Sequence, residues 1–150
     1  MKIILSRYWG DAMQTKSRMK FVDARGKTQL ECEAREPAFA DFTETFRGCS
    51  HYCLPAGVFE CKVVPTEFSP TTLMVQKAPG HRSCTIAWSD VKQVMSNSVL
   101  VGQSDGDENP EWRRMEQQEE TFCILDELVR WAYVANEKIV LYVENEYVII

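Results

Sequence analysis

No stretch of this 150-residue sequence approaches the eighteen or so consecutive apolar residues that a membrane-spanning helix needs. The first ten residues, M-K-I-I-L-S-R-Y-W-G, hold only three consecutive aliphatic side chains and no small-residue cleavage site. They read as a first strand, not a secretory signal. Glycine and proline are sparse, at seven and six residues, and there is no internal repeat or low-complexity linker. With 45% hydrophobic and 26% charged residues, this excludes a disordered or collagen-like chain and points to a folded globular protein. The G-x-S-x-G, H-E-x-x-H and glycine-rich phosphate-loop patterns are all missing.

A Lys/Arg cluster is missing too. Residues 1–102 hold 13 basic and 10 acidic side chains, whereas residues 103–150 hold 4 basic and 12 acidic. An acidic C-terminal third repels phosphate backbones, so no nucleic-acid partner is expected, and no membrane partner either. The plain account of that third is a solvated acidic helix face. The expected location is cytoplasmic.

What the sequence does have is cysteine. Six occur, and three of them share thirteen residues with a histidine in C-S-H-Y-C-L-P-A-G-V-F-E-C, Cys49 to Cys61. A chain of this length can build a core without staples, so reduced and partly buried thiols are the default. A zinc site needs four ligands, usually from two knuckles. Cys49, His51 and Cys53 with His81-x-x-Cys84 form a weak candidate set. Leu54-Pro55-Ala56-Gly57 leads directly into a strand in which Cys61 shares parity with Phe59 and Val63, so Cys61 is expected in the core. No cofactor is expected. Cysteine nucleophile chemistry would need His51 or His81 as its base; both lie in polar, turn-like contexts.

Periodicity gives an α+β single domain over 1–150, with mainly short antiparallel strands forming a sheet or partly closed barrel. The expected strands are Lys2–Tyr8, Arg18–Asp23, Thr28–Ala34, Val58–Val64, Thr72–Lys77, Cys84–Trp88 and Ser98–Gly102, with a glycine-bearing turn at D-A-R-G-K. The polar segment G-D-A-M-Q-T-K-S is expected as a loop. Asn109-Pro110-Glu111 is a strong helix start, and Asn136 a plausible stop. Trp112, Met115, Phe122, Leu125, Leu128, Val129 and Ala132 mark the helix face, with Trp112 and Trp131 read as packing residues. Trp9 is a candidate strand-end anchor. K-I-V-L-Y-V and E-Y-V-I-I, split by Glu144-Asn145, are expected as a C-terminal hairpin.

The order L-E-C-E-A-R-E, L-P-A-G-V-F-E-C-K-V, A-P-G-H-R-S-C-T-I-A-W-S-D and N-S-V-L-V-G resembles a family of small bacterial, phage and prophage proteins of unknown function, found notably in Bacteroidetes. That family carries an I-P-A-G-x-Y turn-strand, a P-G-x-x-x-I-x-I-H-x-G-N segment and a final G-C-I-L-V-G. The match covers about residues 30–102, with the helix and hairpin at about 109–150 outside it. The family's histidine followed by Gly-Cys resembles the layout of L,D-transpeptidase-like domains acting on peptidoglycan. The resemblance therefore implies a His–Cys site, but here the histidine position holds Ala87 and the cysteine position Ser98. The expected function is accordingly a non-catalytic structural or interaction module, phage- or mobile-element-associated, with a protein partner or a homo-oligomer and with the acidic helix and the C-terminal hairpin as candidate contact surfaces. The alternatives are a peptidoglycan-acting or amide-hydrolysing enzyme and a zinc-stabilised adaptor. Trp88, beside the vacated position, is a candidate ligand-stacking residue or a core residue.

Overall fold

The computed structural model describes residues 1–10, 14–37, 54, 56–64, 72–77, 84–87, 98–102 and 111–146. For residues 111–119 and for Gln14, Pro37, Ala87, Ser98, Leu100 and Gly102 it describes the backbone alone. The elements are β1 (Lys2–Gly10), β2 (Gln14–Val22), β3 (Thr28–Pro37), β4 (Gly57–Val63), β5 (Leu73–Val75), β6 (Cys84–Ala87), β7 (Ser98–Gly102), α1 (Glu111–Val134) and β8 (Ile139–Asn145). The strands close into a barrel in the order β1-β2-β3-β7-β6-β5-β4-β8. The α+β reading stands, and closure is complete where the sequence left it partial. Neighbours run antiparallel except at two seams, β1 with β8 and β6 with β7.

Alternation explains the strands. On β1, Ile3 and Leu5 point inward; on β2, Met19 and Phe21; on β8, Ile139, Leu141 and Val143. Phe59, Leu73, Val75, Cys84, Ile86, Val99 and Val101 complete the inner layer from the other side. An eight-stranded barrel is just wide enough for such side chains to fill. The β2–β3 turn forms where the sequence places it: the backbone N–H groups of Arg25 and Lys27 donate to Asp23 Oδ1 at 2.9 and 3.0 Å. Gly26 supplies the φ of +84°, where a side chain is disfavoured.

Helix α1 contributes Leu125, Val129 and Ala132 to the same core, with Phe122 and Leu128 half-buried beside them. It ends at the expected asparagine. Asn136 takes φ +53°, its N–H donates to Tyr133 O at 3.1 Å, and Glu137 N–H donates to Ala132 O at 2.8 Å. These paired bonds are a Schellman cap with asparagine in the left-handed position.

Several strand ends overrun the sequence reading. Gln14–Ser17, expected as loop, is the start of β2; β3 runs past Ala34 to Pro37; β1 runs past Tyr8 to Gly10. The C-terminal hairpin needs correction at its turn. Glu144 and Asn145 are strand residues, paired in parallel with Ser6 and Arg7 of β1, while 147–150 lie outside the described residues. All four overruns reach the same end of the barrel, where the inward positions are the buried Arg7, Thr15, Ser17 and Glu36, with the exposed Asn145 joined to them through Arg7. Polar residues at inward positions remove the alternation that marks a strand.

Gly57 opens β4 opposite Val143 with φ +156°, and a Cβ there would meet the Phe59 ring at 3.5 Å. Space is adequate, so the obstacle is backbone conformation. Gly57→Val is expected to cost roughly 1–3 kcal/mol, read as a lower urea midpoint. An unchanged midpoint would show that the turn tolerates an L side chain.

Candidate functional site

Two features stand out from the barrel's apolar interior: a buried polar layer and an uncovered helix face. The polar layer is built on Arg7, carried inward by the same alternation as Ile3 and Leu5, and fully buried. Its Nε donates to Glu36 Oε2 at 2.8 Å and its Nη2 to Glu36 Oε1 at 3.0 Å, a two-pronged pair across the barrel end. Nη2 also donates to the Leu54 carbonyl, and Nη1 to Asn145 Oδ1 at 3.2 Å. Four segments far apart in sequence thus meet on one guanidinium, whose planar fork suits such a role. Glu36 is equally buried; burial pushes its carboxyl upward, and the Arg7 charge and hydrogen bonds pull against that shift. Because the two side chains satisfy each other, the layer works as a structural tie.

On the barrel's outside, Tyr8 Oη donates to Glu33 Oε2 at 2.8 Å and Arg18 lies over the Tyr8 ring at 5.2 Å. Partial burial and then Glu33 push the phenol up to about 12. It stays protonated at neutral pH and links β1, β2 and β3. Trp9 sits half-exposed near the end of β1 with Lys16 Nζ 4.7 Å over its ring, which fits the strand-end anchor.

Helix α1 has two faces. Thr121, Leu125, Val129 and Ala132 are buried, and a 3.6-residue repeat places Cys123, Glu127, Arg130 and Val134 on the opposite side. With Asp126 and Trp131 these residues line a shallow open concavity. Trp131, Tyr133 and Val134 are 67%, 66% and 74% exposed. Trp131 is therefore not a packing residue of the fold. It lies two residues from the buried Val129 and one from the buried Ala132, spacings that do not share a helix face, which turns it away from the core. Trp112 belongs to the helix stretch known by backbone alone.

The residues singled out in the sequence fare differently. His51, His81, Cys49, Cys53 and Trp88 lie outside the described residues. Cys84 is buried in the core on β6, opposite Val75, and Cys61 packs against the core as its parity implies. Among the described residues no three His, Cys, Asp or Glu side chains group as a metal site would require. Ser98 pairs with Thr85 and Ala87 with Leu100 on neighbouring parallel strands. The two positions of the resemblance are thus two rungs apart, about 7 Å along the strands. The Arg7–Glu36 pair lies outside the sequence reading altogether; the acidic helix is expected from the sequence as a contact surface, but with Trp131 as a packing residue and not as part of that surface. Strict alternation after Ile3 and Leu5 marks Arg7 as inward, and a helical wheel separates Trp131 from Leu125 and Val129.

The thiols differ sharply in environment. Cys32 and Cys61 are pushed up to about 12 chiefly by burial, with Glu33 and Glu31 adding to it at Cys32, whereas Cys123 is exposed. Iodoacetamide at pH 8 should alkylate Cys123 at least tenfold faster than Cys32 or Cys61, since thiolate is the reactive form. Peptide mass spectrometry reads this directly, and equal rates would contradict the burial. Compared with known protein families, curated proteins and solved structures, the chain matches none.

Proposed function

We propose that the protein is a non-catalytic interaction module whose contact surface is the outer face of α1. The observation that carries this reading is the exposure of Trp131, Tyr133 and Val134 on a helix whose other face already completes the core. Large apolar side chains held at the surface on a rigid element mark interaction sites, and Trp and Tyr are enriched at binding hot spots. The barrel interior supports the same reading from the other side, because its inward polar pair, Arg7 and Glu36, is consumed in mutual hydrogen bonds. The sequence resemblance adds the setting: a phage- or mobile-element-associated protein, cytoplasmic or virion-associated, with Ala87 and Ser98 where the family pattern has histidine and cysteine. No helix among the described residues is long and apolar enough to cross a membrane.

Affinity capture from cells that express the protein tests the reading, using wild type and Trp131→Asp/Val134→Asp as paired baits. Both positions are exposed, so the double variant should keep its thermal midpoint while losing tenfold or more of the captured partner. A partner retained in full by the variant would move the contact surface elsewhere. Incubation with a β-lactam acyl donor is expected to leave the mass of the intact protein unchanged. A covalent adduct on Ser98 or on any cysteine would overturn the non-catalytic part.

A further inference from the structure

Charge on the outer face of α1 is arranged so that the face complements itself. Glu127 and Arg130 lie one turn apart between two apolar positions, Cys123 and Val134. Neither Glu127 nor Arg130 makes an ion pair among the described residues. Rotated by a two-fold axis passing between Leu128 and Val129, the face meets its own copy in antiparallel register. Glu127 then lies opposite the partner's Arg130, and Arg130 opposite the partner's Glu127. Cys123 meets the partner's Val134. A parallel pairing would instead set each charge against its own kind. The same axis leaves Glu116, Glu119 and Glu120 beyond the end of the partner's helix, so the acidic stretch of α1 does not oppose itself.

We infer that the occupant of this face is a second copy of the chain, in a two-fold antiparallel α1–α1 dimer. This inference rests on the reading of α1 as the contact surface and names its partner. A two-fold interface must be self-complementary, with residue i facing j and j facing i. The Glu127–Arg130 pair satisfies that condition twice per dimer. The overlap from Cys123 to Val134 is 12 residues, about 18 Å of helix. This is the size of a weak, reversible association, so the dimer forms in the micromolar range.

Sedimentation equilibrium of the full chain from about 5 to about 500 µM is the test. The expected mass rises with concentration from 17.3 kDa toward twice that value. Glu127→Arg alone and Arg130→Glu alone should each weaken self-association at least tenfold, while an equimolar mixture of the two single variants should associate as heterodimers. Val134→Cys provides a second readout: under mild oxidation it should form a disulfide-linked dimer with the partner's Cys123, lost in the Cys123→Ser background. Wild type that stays monomeric throughout, or variants whose mixture associates no better than either alone, would overturn the dimer. A monomer whose α1 face still captures another protein overturns only the second copy as occupant; loss of both removes the contact surface itself.

Discussion

The barrel depends on one buried ion pair. Arg7 on β1 and Glu36 on β3 face each other across β2, and the same guanidinium reaches the Leu54 carbonyl ahead of β4 and Asn145 at the end of β8. β8 closes the barrel by pairing with both β1 and β4. The Arg7 network therefore gathers the strands on either side of that closing seam. Taking two charges out of water is expensive, and a buried pair offsets the expense only when its geometry and remaining hydrogen bonds are good. Here both carboxylate oxygens are engaged. What the pair contributes is a defined arrangement at one end of an otherwise apolar tube.

That polar end also decides what could be seen in the sequence. The seven strands expected from alternation and turn residues are all present, as are the D-A-R-G-K turn and the asparagine cap of α1. The overruns of β2 and β3 lie where polar side chains take inward positions, Thr15 and Ser17 in β2 and Glu36 in β3, whereas β5 stops at Val75, short of the expected Lys77. A segment such as Q-T-K-S carries no apolar signal, because its inward residues face an ion pair and not a methyl group. The partnership of Arg7 with Glu36 could not be read locally, since 29 residues separate them and only closure of the sheet brings them together. The outer face of α1 was legible in principle. Hydrophobicity alone groups its apolar positions together, whereas a helical wheel puts Trp131 on the opposite side from Val129.

The two halves of the molecule divide the work accordingly. The barrel is inward-looking: its thiols at Cys32, Cys61 and Cys84 pack as small apolar groups, and in its polar layer Arg7 and Glu36 satisfy each other while the buried Ser17 hydroxyl has no hydrogen-bond partner among the described residues. The helix is outward-looking, joined to the core along one side and presenting Trp131, Val134 and an acid–base pair on the other. A rigid scaffold that holds an uncovered helix face is a common physical basis for association, because little ordering entropy remains to be lost on binding.

A double-mutant cycle at the barrel's polar end tests this account most directly. Arg7→Met and Glu36→Leu should each destabilise the protein by roughly 3–5 kcal/mol in urea unfolding, because each leaves the other partner buried and unpaired. The double variant should cost no more than either single change, giving a coupling of similar size. Costs that simply add would mean that Arg7 and Glu36 act independently, and that the barrel is not held by their pairing.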